Sequence, residues 1–205
     1  MDRMPRILEL ALVCIALALV SVPMVLTALV TRAAIGRPIL FGQIRCGKDK
    51  HPFEIKKFRT MTDARDGDGN LLPDAARQTP VTRLMRRSRL DETPQLLAIL
   101  AGQMALVGPR PLLPETIDRQ GALGAQRCAV RPGLTGWAQI SGNTALAADE
   151  KLALDLWYIA HRTVWLDLRI LLGTVAVLAF GERCHDGRLA QARAWLGARQ
   201  EATGT

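Results

Sequence analysis

Residues 7–30 read ILELALVCIALALVSVPMVLTALV, and the way this run meets a bilayer decides the architecture of everything after it. About 24 residues at ~1.5 Å each would just cross a hydrocarbon core. Arg3 and Arg6 precede the run, as in a cleaved signal peptide. Against that, the stretch is long, holds Glu9, Ser21 and Pro23, and meets no small-x-small cleavage site before Thr31-Arg32. A straight crossing would put Arg3 and Arg6 on one side and Arg32, Arg37, Arg45 and Lys48 on the other, whereas the positive-inside bias draws both flanks to the cytoplasmic face. A bent, re-entrant helix satisfies both. Pro23 supplies its break, since proline removes a backbone hydrogen bond and clashes with the preceding turn, and Ser21 is placed to bond a carbonyl so released. A straight span with a tolerated kink stays open as the plainer reading of these residues.

The rest of the 205-residue chain narrows the class. It is 49% hydrophobic, too apolar for a disordered polymer, and long enough for one domain with an appendage but not for a multidomain machine. No second run approaches a crossing, which excludes a polytopic transporter or channel. Cys14, Cys46, Cys128 and Cys184 have no paired spacing, so neither a disulfide framework nor a zinc site is written here, and the chain reads as reduced and cytosol-facing. With 27 Lys and Arg against 19 Asp and Glu, a net charge of +8 implies anionic company: nucleic acid, phosphorylated small molecules or an acidic membrane surface.

Alternation of apolar and polar residues from Pro38 to Met61, on either side of Gly47-Lys48-Asp49-Lys50, predicts a β-hairpin. The loop from Thr62 to Thr79 holds Asp63, Asp66, Asp68, Asn70 and Asp74. Counted from Asp66, however, Leu71 stands where a calcium loop needs glycine and Arg77 where it needs glutamate, so the loop is solvated. Thr79-Pro80 and Thr93-Pro94 each predict a helix start, threonine as the cap and proline in the first turn; the second helix runs from Pro94 to about Leu100, and Gly102 ends it. A helix near Ile117, a glycine-rich stretch from Arg131 to Asn143 and two helical runs between about Ala147 and Phe180 follow. Ile170 to Phe180 is too short to span and reads as a core or interface helix, and Arg188 to Arg199 as a basic amphipathic surface helix.

The candidate chemistry sits at Asp91-Glu92. Both carboxylates precede a helix start, where a helix dipole and free backbone N–H groups favour negative charge. Arg86, Arg87 and Arg89 come just before, and Gly108-Pro109-Arg110-Pro111 holds a guanidinium between two φ-locked prolines. Rigid arginines beside two carboxylates suit a phosphate-and-magnesium site, because arginine forks onto phosphate oxygens while carboxylates hold a hard cation. A glycosidase pair fits less well, since neighbouring carboxyls at a helix start diverge. No Gly-x-Ser-x-Gly elbow, Walker loop or His-Glu-x-x-His pattern occurs, and His51, His161 and His185 stand isolated.

These residues lie within a longer series of ordered blocks: Gln43, Arg45 and Gly47; Phe53 and Lys57-Phe58-Arg59-Thr60-Met61; Arg86 with Leu90-Asp91-Glu92 and Pro94-Gln95-Leu96; Val107-Gly108-Pro109-Arg110-Pro111; Arg131 to Gln139; Asp155, Tyr158 and Asp167-Leu168. In them the chain resembles the bacterial sugar transferases that act as monotopic polyprenyl-phosphate phosphoglycosyl transferases. The resemblance implies an α+β, mostly helical monotopic membrane protein with a re-entrant N-terminal helix (1–32), a catalytic domain with a small β-hairpin and interface helices (33–183) and a basic amphipathic tail (184–205). It implies transfer of a phosphosugar from a UDP-sugar to undecaprenyl phosphate through an aspartyl-phosphosugar on Asp91, with release of UMP. Glu92 is then its partner carboxylate around Mg²⁺; Arg86, Arg110, Lys57, Arg59, Gln139, Asp155 and Tyr158 contact phosphate or substrate; and the catalytic domain faces the cytoplasm at the bacterial inner membrane.

Of the anionic partners, nucleic acid drops out and membrane lipid stays; the sequence leaves a homodimer open. Many relatives have glycine at Thr82, serine at Arg89, leucine at Thr93, an acid at Gln103 and arginine at Asn143, and only the last bears on nucleotide or sugar contacts. Set beside larger members with extra spans and an inserted domain, the sequence is expected to be close to a minimal catalytic unit. The rival reading is a membrane-anchored basic scaffold that binds acidic lipid or nucleic acid through its arginines; it leaves the carboxylate pair and the prolines around Arg110 without a role.

Overall fold

A computed structural model describes residues 4–203 of the chain; Arg3, part of the flanking-charge argument, lies outside the described residues. The apolar run forms helix α1 (Arg6–Ala34), long and apolar enough to cross a membrane. It does not stand clear of the protein. Glu9 and Val13 in its first half and Thr27 and Thr31 in its second are buried, and Ala16, Leu17 and Val20 between them pack on the core. These positions recur every three or four residues, so one helical stripe rests on the protein body along both halves. The opposite face exposes Ile15, Leu19, Val22, Val25, Leu26 and Leu29. The first turn is tied down by polar contacts. Glu9 accepts from the Leu106 backbone N–H at 2.8 Å and from Arg6 at 2.6 Å, and Arg6 also donates to the Ile99 carbonyl.

Helical structure continues through Ser21 and Pro23, so the bend expected there does not end the helix. Pro23 strands the Leu19 carbonyl, yet the Ser21 hydroxyl donates to Ala18 O at 2.8 Å, and Thr27 donates to Pro23 O at 2.7 Å. One lost hydrogen bond within a 29-residue helix exposes less backbone than ending the helix in an apolar setting would.

Strands β1 (Leu40–Cys46) and β2 (Pro52–Phe58) form the expected antiparallel hairpin, with Phe41 opposite Lys57 and Gln43 opposite Ile55. The acidic loop folds on itself, Asp66 Oδ1 accepting from the N–H groups of Asp68 and Asn70. Helix α2 (Pro80–Arg87) starts as its sequence dictates, with Pro80 in the first turn and Thr79 accepting from the Thr82 N–H. The next start differs. Arg89 turns into the left-handed region (φ 57°, ψ 16°), Leu90–Glu92 forms a 3₁₀ turn, and α3 covers Gln95–Leu100. Thr93 is already helical (φ −57°, ψ −30°) and its hydroxyl donates back to Leu90 O, so it cannot serve as a cap, which requires extended backbone.

A parallel pair that the periodicity did not announce lies beneath the site: β3 (Ala105–Val107) beside β4 (Gly133–Thr135). Glycine is required here by close approach, because a Cβ on Gly133 would lie 2.1 Å from Gly108 N and one on Gly136 2.2 Å from Gly108 O. Helices α4 (Pro114–Arg119) and α5 (Gly121–Arg127) fill the crossover between these strands. Helices α6 (Ala148–His161), α7 (Val164–Phe180) and α8 (Asp186–Thr203) complete the body. The tail helix α8 packs along α6, with Ala192 fully buried in the cluster of Trp137, Leu154, Tyr158 and Ile170. α7 buries Asp167 and Ile170 but exposes Trp165, Leu172, Val175, Leu178 and Phe180, the profile of an interface helix. The protein is thus a mostly helical α+β fold with small sheets and one long apolar N-terminal helix.

Candidate active site

The left-handed Arg89 decides where the acids point. It breaks the run out of α2 and lets the 3₁₀ turn carry Asp91 and Glu92 over the edge of β2. There they line a cavity of about 540 Å³ with Lys57, Arg86, Arg87, Arg89 and Arg110, closed on the far side by Asn143, Thr144 and Glu182. Two adjacent carboxylates, with Glu182 as a third across the cavity, therefore meet five cations from three parts of the chain.

The two acids have different environments. Asp91 is 6% exposed, and its Oδ1 is buried with no hydrogen-bond partner. Burial pushes its pKa up and the Glu92 charge pushes it further, against the pull of Lys57 and Arg86. Glu92 is buried too, but the charge and hydrogen bond of Arg110, at 2.5 Å, together with Arg89 and Lys57, outweigh that burial and hold its pKa below the usual carboxylate value. Burial lowers the Lys57 pKa despite the adjacent Asp91. The site thus pairs one ionised, satisfied carboxylate with one carboxylate whose Oδ1 has no hydrogen-bond partner.

Of the residues expected from sequence, Asp91, Glu92, Lys57, Arg86 and Arg110 come together in this cavity. Arg59 lies next door: it bonds Asp63 and the carbonyls of Arg37 and Pro38, and lines a cavity of about 310 Å³ that shares Lys57 and Arg86 with the first. Gln139 lies on the other side, in an apolar cavity of about 210 Å³, with its Nε2 bonded to Leu134 O. Asp155 and Tyr158 are not among the lining residues. Asp155 is an internal prop, paired with Arg127 at 2.7 Å, and Arg127 donates to the Arg110 carbonyl at 2.6 Å. The Tyr158 hydroxyl donates to Asp167 in the core at 2.7 Å. Ser21 and Pro23 belong to α1 and to no part of the cavity.

The sequence reading missed Glu182. Its carboxylate accepts from Arg89 at 2.9 Å, from Asn143 Nδ2 at 2.5 Å and from the N–H and hydroxyl of Thr144, fastening the end of α7 to the cavity wall. The one local signal is Gly181, whose φ of 85° turns the chain out of α7 toward the site. Arg89, where many relatives have serine, faces both Glu182 and Glu92.

Among the described residues no group of three or more His, Cys, Asp or Glu could hold a metal, so an all-protein cage is not built here. Magnesium does not need one: one or two carboxylates, substrate oxygens and water suffice. Asp91 and Glu92, with the orphaned Asp91 Oδ1, fit that requirement.

The sequence model of the bacterial sugar transferases matches residues 1–181. The chain is 45% identical over 177 residues to the uncharacterized sugar transferase EpsL of Bacillus subtilis, a match covering 86% of this chain and 88% of that one. It is 38% identical over 192 residues to the UDP-glucose:undecaprenyl-phosphate glucose-1-phosphate transferase of Caulobacter vibrioides, across 86% of this chain and 70% of the relative. With the UDP-N-acetylgalactosamine-undecaprenyl-phosphate N-acetylgalactosaminephosphotransferase of Aeromonas hydrophila it shares 34% identity over 191 residues, covering 86% of this chain but 44% of the longer relative.

Proposed function

Because the chain belongs to the bacterial sugar transferase family, we propose that it moves a phosphosugar from a UDP-sugar to undecaprenyl phosphate in two steps on Asp91. The observation that carries this reading is the buried, unpartnered Asp91 Oδ1 in a cavity ringed by Lys57, Arg86, Arg87, Arg89 and Arg110. An Asp91 oxygen attacks the β-phosphorus of the diphosphate, the bond from that phosphorus to the bridging oxygen breaks, and UMP leaves with the electron pair. A phosphate oxygen of undecaprenyl phosphate then attacks the same phosphorus, the phosphorus–Asp91 bond breaks, and the carboxylate is restored. One anhydride is exchanged for another through an acyl phosphate, so no further energy source is needed.

The side chains divide the work by environment. Arg110 and Arg86 meet phosphate charge, and Arg110 also holds Glu92 in place. Burial of Asp91 leaves its carboxylate poorly solvated and therefore reactive once ionised. Asp91 and Glu92 would hold Mg²⁺, which when bound neutralises charge on the diphosphate oxygens. Lys57, held below its ordinary pKa by burial, adds a positive charge beside Asp91 while it remains protonated.

The same reading places the protein at the bacterial inner membrane with its catalytic face toward the cytoplasm and α1 re-entrant. Two features support this: the packed stripe of α1 runs through both halves, and Arg32 and Arg37 follow it as Arg6 begins it. Single cysteines at positions 2 and 37 should both resist a periplasmic thiol reagent, and labelling at position 2 alone would make α1 a crossing.

The reaction is tested with membranes and UDP-sugars labelled in the sugar. Wild type retains label covalently and releases UMP; Asp91→Asn retains none. Equal labelling of the two proteins refutes the aspartyl intermediate.

A further inference from the structure

The catalytic cavity has an apolar annex. The cavity of about 210 Å³ beside it shares Arg89, Glu92, Asn143, Val177 and Leu178 with it, and beyond that mouth its walls are Leu106, Leu134, Ile140 and Leu171. Most of the polar groups in those walls are already engaged. Thr93 donates to Leu90 O, Thr174 donates to Ile170 O, Thr135 and Thr174 share a 2.6 Å hydrogen bond, and Gln139 Nε2 donates to Leu134 O. The Gln139 oxygen has no partner but is buried away from the annex surface, and a Cβ on Gly136 would lie 2.9 Å from it. Since the hydroxyl protons are spent inside the protein, the annex offers a hydrophilic ligand little to bond and a hydrocarbon a dry wall.

Its mouth is the reverse: a guanidinium, a carboxylate and an amide that also face Asp91. A charged cavity opening directly into an apolar one matches a ligand whose phosphate is joined to hydrocarbon, and no part of a nucleotide sugar has that form. The annex also leads outward. Leu178 lines both cavities while 54% exposed, and it follows Leu172 and Val175 at three-residue spacing on the uncovered face of α7. From these features we infer that the annex seats the first isoprene units of the polyprenyl phosphate acceptor, with its phosphate at Asp91 and the rest of the chain leaving past Leu178 along α7. This inference rests on the reaction proposed above and assigns the acceptor a place within it.

Two measurements on the full chain in lipid nanodiscs test it. Thr174→Phe fills the annex without touching the charged cavity. Its covalent labelling from UDP-sugar should match wild type, whereas discharge of that label to undecaprenyl phosphate should fall at least tenfold in kcat/KM, chiefly through KM. Loss of both half-reactions in a variant that keeps its wild-type helical circular dichroism would give the annex to the nucleotide sugar, and unchanged discharge would leave it without this occupant; either overturns the inference. The second measurement needs no variant. A ten-carbon prenyl phosphate carrying a diazirine on its chain should cross-link wild type within residues 133–140 and 164–180, in competition with undecaprenyl phosphate. Cross-linking elsewhere, or cross-linking that undecaprenyl phosphate does not reduce, also overturns it. A wild-type protein that takes no label from any UDP-sugar, yet cross-links in the annex, refutes the proposed reaction while leaving the acceptor site standing.

Discussion

Replacing Asp155 by alanine separates a prop from a substrate contact. The sequence resemblance assigns Asp155 to the substrate, whereas the fold makes it the anchor of a relay: its Oδ2 accepts from Arg127 Nε at 2.8 Å, Arg127 donates to the Arg110 carbonyl at 2.6 Å, and Arg110 pairs with Glu92 at 2.5 Å. The side chains of Arg127 and Asp155 are 5% and 4% exposed, so the alanine leaves a guanidinium buried without its counter-charge. Breaking a buried pair from one side costs about 3–5 kcal/mol. In a chain of this size ~2–4 °C of Tm is lost per kcal/mol, so unfolding should come about 6–20 °C earlier. Circular dichroism in nanodiscs measures that shift, and labelling from UDP-sugar well below both transitions measures the site. The expected result is a large fall in Tm, a lower labelling rate as Arg110 loosens, and a nearly unchanged KM for the nucleotide sugar. The double variant Arg127→Met with Asp155→Leu should recover most of the stability, because a packed apolar pair replaces a buried ion pair at little cost. An unchanged Tm with a raised KM would return Asp155 to the substrate site and refute the relay.

Other outcomes follow from the same geometry. The raised pKa of Asp91 means that its ionised form is disfavoured in the folded state, so above that pKa the native protein carries a penalty that the unfolded chain does not. Asp91→Asn should therefore raise Tm at neutral pH and remove this penalty's growth with pH, while the wild-type labelling rate should decline on acidification at a pH above the ordinary aspartate range. Arg110→Ala removes both a phosphate contact and the partner of Glu92; labelling should drop about 10²–10³-fold, and Arg110→Lys should restore only part of it, lacking the fork. Gly133→Ala sets a methyl group 2.1 Å from the Gly108 nitrogen, a backbone atom that cannot swing aside; overpacking of this kind costs about 3 kcal/mol or more, read as lost soluble yield or an early chemical unfolding midpoint.

What could be read in the sequence was what depends on near neighbours. The hairpin needs only alternation and a turn, and the cap of α2 needs only threonine before proline, so both appear where expected. The Asp91-Glu92 pair with Arg86 and Arg110 was legible because its members flank two short elements that fold back on each other. The rest depends on the fold rather than on residue type. Thr93-Pro94 carries the same local signal as Thr79-Pro80 and fails as a cap because the 3₁₀ turn before it is already helical. Asp155 and Tyr158 look like binding groups in any sequence, since a buried ion pair and a substrate site draw on the same residue types; only Arg127 and Asp167, 28 and 9 residues away, show that these side chains are satisfied internally. Glu182 was invisible for the opposite reason, a single acid after an apolar helix that acquires meaning only when Asn143 and Arg89 arrive. That junction also explains why Arg89 matters. Held at positive φ, it ends α2, starts the turn that presents both carboxylates, and spends its own charge on Glu182 and Glu92, so one residue sets the backbone of the site and closes its wall. Lysine there would keep a charge but not the planar fork that reaches two acids from one strained backbone position.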